Sequence, residues 1–97
     1  MNEKELITLI DRVIDLAHNG SGLQDTADAL DTYQRTVAAI RELCGSKANP
    51  LVIKDKHGNY YHCHHAFANR GNVSLYNADY VLIVTLRARE IVYIGME

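Results

Sequence analysis

Ninety-seven residues, 47% of them hydrophobic, are enough for one compact domain with a core that needs no disulfide or metal. A net charge of −2 argues against a general polyanion binder, and no apolar run approaches the roughly 18 residues a membrane helix needs. The charge is uneven: residues 1–46 carry eight acids against four bases, and residues 47–97 carry six bases against four acids.

The N-terminal MNEKELITLIDRVIDL has acids where a secretory leader would be basic, so the chain reads as cytoplasmic, with Cys44 and Cys63 as unbridged thiols. Asn2 followed by Glu5 resembles a capping box. Beyond it Leu6, Ile7, Leu9, Ile10, Val13, Ile14 and Ala17 recur at spacings of three and four, which predicts an amphipathic helix ending at Asn19-Gly20. A second helix is expected from near Asp25, whose carboxylate can cap the free amides, to Cys44, with Gly45 as its left-handed stop. Its Leu30, Tyr33, Val37, Ile40 and Cys44 follow the spacing of a coiled-coil seam. A helix lying on a sheet needs the same stripe, so core packing is the expectation, and a homodimer stays open. The Gly-Ser-Gly between the helices is no phosphate loop, because Asp25 and Asp28 would repel the anion.

After Pro50 the period changes to that of strands. LVIKDKHGNYYHC reads as a hairpin turning on Asp55-Lys56-His57-Gly58, which sets Lys54 opposite Tyr60, Ile53 opposite Tyr61, Val52 opposite His62 and Leu51 opposite Cys63. The segment from Asn69 to Asp79 fits either a second hairpin with a short strand at Val73 to Tyr76 or a helical turn capped by Ser74. YVLIVTL, residues 80–86, is uncharged and β-branched and is expected at the centre of the sheet, with IVYIG, residues 91–95, following. The fold class is therefore α+β: an N-terminal antiparallel helical hairpin on one face of a four- to five-stranded antiparallel sheet, in the order ααββββ, as a single domain over residues 1–97.

Four of the five histidines fall between His57 and His65. Strand alternation places Leu51, Ile53, Tyr61 and Cys63 on a face toward the helices, and Val52, Lys54, Tyr60, His62 and His64 on the wet face. His62 and His64, two apart, could turn two imidazoles toward one cation, but a third ligand is missing and no metal or other cofactor is expected. A Cys63 nucleophile served by His65 would need an exposed thiol and an oxyanion hole that no residues mark, so no catalytic residue is assigned. HHAFANRGN resembles HNH nucleases in its histidine and asparagine letters, yet the helix that would present the later metal-binding histidine has none. No role is carried over from that resemblance.

The expected function is that of a small non-enzymatic binding module. Val52, Lys54, Tyr60, His62 and His64 would form the site, engaging a protein as regulator, adaptor or inhibitor. A phage or mobile-element protein that inhibits a host factor would fit the size and the absence of motifs. Binding of RNA or single-stranded DNA by the tyrosines is the alternative, and a His/Cys zinc-dependent hydrolase or nuclease the second.

Overall fold

The computed structural model describes residues 2–45 and 48–97. Helix α1 (Glu3–His18) starts as its sequence dictates, the Asn2 side chain accepting the Glu5 amide at 2.9 Å. Its Leu6, Ile10, Val13 and Ala17 are buried, and this stripe packs against the second helix and against strands of both sheets. Removing each large aliphatic side chain from water contributes about 1.5–3 kcal/mol.

Helix α2 (Ala27–Cys44) begins two residues later than expected, and its cap is Thr26, whose hydroxyl accepts the Ala29 amide at 3.0 Å. Asp25 is engaged elsewhere: its carboxylate accepts from Arg70 at 2.6 and 3.0 Å. The face that α2 buries is Ala29, Thr32, Thr36, Ala39 and Ile40, one step around from the expected seam. Of that seam only Ile40 is buried; Leu30 is exposed, and Tyr33, Val37 and Cys44 are half-buried. Small side chains allow a close approach of the helices, and the threonine hydroxyls do not oppose it. Thr36 donates to the Thr32 carbonyl at 2.8 Å, and Thr32 accepts from Arg12 Nε at 3.2 Å.

Six strands follow: β1 (Leu51–Asp55), β2 (Tyr60–Cys63), β3 (His65–Asn69), β4 (Asn72–Tyr76), β5 (Leu82–Arg87) and β6 (Ile91–Met96). They form two antiparallel three-stranded sheets, ordered β2-β1-β6 and β3-β4-β5. The protein is thus an α+β fold with an N-terminal helical hairpin packed on antiparallel sheet. The β1–β2 register is the one the turn chemistry dictates, from Leu51 opposite Cys63 to Lys54 opposite Tyr60. Gly58 has the left-handed φ of 87° that this turn requires. Asp55 locks the turn from within, accepting from the His57 and Asn59 amides, the Asn59 side chain and the Tyr61 hydroxyl at 2.9–3.2 Å.

The undecided segment is a hairpin. Arg70 (φ 45°) and Gly71 (φ 86°) are the two central residues between Asn69 and Asn72, and positive φ at both is the type I′ pattern. An arginine resists that conformation, and the ion pair with Asp25 together with its own amide donating to Ser21 O at 2.9 Å holds it there. The Gly71 amide donates to Ala17 O, tying the turn to the end of α1.

YVLIVTL does not lie at a sheet centre. Its strand starts at Leu82 and forms the edge of β3-β4-β5, while the centre is β4, with Val73, Ser74 and Leu75 buried. Composition measures how readily a segment forms a strand, and the pairing partners decide where it lies. The inner faces of the two sheets supply Leu51, Ile53 and Cys63 from one and Ala66, Ala68, Val73, Leu75 and Leu86 from the other. Among the described residues no helix is long and apolar enough to cross a membrane.

Candidate functional site

The outer face of β2-β1-β6 carries four of the five expected binding residues. Lys54 pairs across the strands with Tyr60 on β2 and with Tyr93 on β6, and its Nζ lies 5.3 Å from the centroid of the Tyr60 ring. Val52 sits between His62 and Gly95. A Cβ at Gly95 would fall 2.8 Å from Tyr93 Cζ, so the tyrosine ring lies over the glycine and only hydrogen permits it. His62 Nδ1 is 3.6 Å from a Glu97 carboxylate oxygen, an ion pair when the imidazole is protonated. Tyr60 and Tyr93 are both more than half exposed, at 58% and 52%. Tyr93 was not singled out from the sequence, because the pairing of β6 with β1 spans some forty residues and leaves no local signal.

His64 does not belong to this face. It is 7% exposed and occupies the bend between β2 and β3, where its amide donates to Tyr76 O at 2.8 Å. Alternation sorts faces only within one strand, and β2 ends at Cys63. Its ring turns to His65, with centroids 4.2 Å apart and Nδ1 3.1 Å from His65 Nε2. His62 and His64 therefore do not converge on a common cation. Among the described residues, no group of three or more His, Cys, Asp or Glu side chains is placed to hold a metal ion. Burial, then the charge of Arg41, lowers the His64 pKa; burial, then His64 and Arg41, brings His65 down to about 4. Burial also pushes the Cys63 thiol up to about 12, away from the thiolate that nucleophilic or metal chemistry needs.

A second surface lies on the outer face of β3-β4-β5. Tyr80 stacks on His65 (centroids 4.3 Å, planes 11° apart), and Phe67 meets Tyr76 at 4.7 Å and Tyr33 of α2 edge-on at 4.4 Å. Burial, with a hydrogen bond to Tyr80 behind it, pushes the Tyr33 hydroxyl up to about 12. Tyr80 itself has φ of 60°, in a turn where the Asn77 carboxamide oxygen accepts the Asp79 and Val81 amides. Toward the other end of these strands, His18, Gly71, Asn72, Arg87 and Arg89 line an open cleft of about 280 Å³ without an acidic residue. Compared with protein-family models, with curated proteins and with solved structures, the chain matches none.

Proposed function

We propose that the protein is a binding module that holds a protein partner on the outer face of β2-β1-β6 and acts as a regulator, adaptor or inhibitor. The observation that carries this reading is the row Tyr60–Lys54–Tyr93, two exposed rings flanking a cation on a face that neither helix covers. Tyrosines with an apolar body and a polar tip lose little entropy when covered, and they are enriched where protein interfaces concentrate their binding energy. Val52 and His62 extend the patch, and the Tyr93 ring lies over Gly95 within it.

The test is cross-linking in a lysate of the source cells, comparing the wild-type chain with a Tyr60→Ala, Tyr93→Ala variant of equal stability. A partner captured by the first and lost by the second is the expected result. An unchanged set of partners would remove this face from consideration.

One observation favours the nucleic-acid reading: Phe67 and Tyr76 share the outer face of β3-β4-β5 with Arg87, beside the cleft that Arg89 and His18 complete. That reading requires a labelled single-stranded oligonucleotide to bind with a steep salt dependence and to be released by Arg87→Ala, Arg89→Ala.

A further inference from the structure

We infer that the open cleft where β4, β5 and the end of α1 meet binds the phosphate group of a small phosphomonoester, held by Arg87 and Arg89. The cleft, about 280 Å³, is lined by those two arginines with His18, Gly71 and Asn72, and no acid is among them. That volume lies near the lower end of the range for small-molecule sites. The local sequence brings the arginines together. In Arg87-Ala88-Arg89 the central alanine is buried, and the residues on either side of it stay exposed. The Ala88 amide donates to Gly71 O at 3.0 Å, and Arg87 pairs with Asn72 across β5 and β4, so this segment is fastened to the turn that forms the opposite wall.

Charge selects the ligand. Arg12, Arg35 and Arg70 pair with Asp28, Asp31 and Asp25, whereas among the described residues Arg87 and Arg89 make no ion pair. Glu90, next to Arg89 in the chain, reaches Lys56 Nζ instead, at 3.9 Å. Two cations in one cleft without a counter-charge repel each other, and an anion between them removes that repulsion. The C-terminal end of α1 would oppose an anion, but its exposed carbonyls are already occupied. Asp15 O accepts from Asn19, Leu16 O from Ser21, and Ala17 O from both Gly20 and Gly71. A phosphomonoester carries nearly two negative charges above pH 7, and its terminal oxygens match the paired donors of a guanidinium. A carboxylate or a phosphodiester brings only one charge. Arg70 in the adjoining turn is neutralised by Asp25, and Lys56 by Glu90, so the free positive charge suits one phosphate rather than a strand of them. The cleft belongs to β3-β4-β5, apart from the Tyr60–Lys54–Tyr93 row, so the two proposals stand or fall separately.

Amide chemical-shift titration of the chain above pH 7, at constant ionic strength and with phenyl phosphate as the probe, tests it. The amides of Gly71, Asn72, Arg87, Ala88 and Arg89 are expected to shift together and to saturate, with a Kd of about 1 mM or tighter. Methyl phenyl phosphate and benzoate, each with one charge, are expected to bind about tenfold more weakly. Arg87→Gln and Arg89→Gln should each weaken phenyl phosphate about tenfold, while Lys4→Gln, Arg35→Gln, which removes two charges elsewhere, should leave it within about twofold. Should an arginine variant fail to fold, the contrast between monoester and diester on the wild-type chain decides alone. Shifts that rise without saturation overturn the proposal, as does a diester bound as tightly as the monoester, or binding unchanged in both arginine variants. An unphosphorylated oligonucleotide that displaces phenyl phosphate also overturns it and assigns the cleft to a nucleic-acid backbone. A phosphoserine peptide bound about tenfold more tightly than phosphoserine itself does the same in favour of a phosphorylated protein.

Discussion

At the scale of single residues, the separation of functional from structural side chains rests on which way each one points. Tyr60 and His62 project from β2 into solvent, so Tyr60→Ala, His62→Ala should leave the unfolding free energy within about 1 kcal/mol of wild type, measured by urea titration. A larger loss would mean that the outer face of β2-β1-β6 is packed rather than open. Gly95→Ala makes a sharper demand. Its new methyl collides with the Tyr93 ring, an exposed group able to swing away, so stability should change little while the ring environment shifts, seen as altered Tyr93 proton resonances. Cys63 lies at the opposite extreme. Its buried thiol should react with a thiol reagent only at the rate of unfolding, and rapid labelling of the native chain would contradict its place in the core.

Elements show how far local sequence reaches. The β1–β2 hairpin was legible in full, because Asp55 to Gly58 specifies a turn whose geometry fixes every cross-strand pair. Helix α1 was legible for the same reason, with cap, period and stop all agreeing. In α2 the apolar period misled by one residue: the stripe of larger side chains faces outward in part, while Ala29, Thr32, Thr36 and Ala39 turn inward. Hydrophobicity ranked the two stripes in the wrong order because a close helix–helix contact selects small side chains over apolar ones. Position in a sheet was illegible for a different reason. Whether β4 or β5 takes the centre depends on non-local pairing, and the bend at His64 that splits the strands into two sheets also removed a residue from the candidate site. Ile40 belongs to both stripes and is wholly buried. Ile40→Asp should therefore cost about 3 kcal/mol or more by burying an unpaired carboxylate, visible as a collapse of the thermal transition. If the variant instead stays folded and a wild-type dimer becomes monomer, α2 is the oligomer interface.

For the whole molecule, stability couples to pH through groups that the fold buries uncharged. Two sheets closing around α1 leave the junction between β2 and β3 dry, and that is where His64 and His65 lie. An unfolded histidine titrates near 6.5, whereas His65 in the folded chain is held down to about 4, and His64 is lowered as well. Between those values the unfolded chain binds protons that the folded chain refuses. Stability is thus fully present above pH 6.5 and falls as the pH drops toward 4, by at most about 1.4 kcal/mol per pH unit for each proton taken up. Asp55 adds a second loss at lower pH. Burial opposes its ionisation, but the donors from Asn59, His57 and Tyr61 prevail and hold its carboxyl below the ordinary value of 3.8, so its contribution disappears only as the pH falls from there. The expected record is a melting temperature steady from pH 8 to 7 and declining from 6.5 to 4.5. In His65→Phe the decline should be shallower, because the ring that stacks under Tyr80 is retained and its titration is lost. A wild-type melting temperature that stays flat to pH 4.5 would show that both imidazoles accept protons in the folded protein, which a dry junction beside Arg41 does not permit.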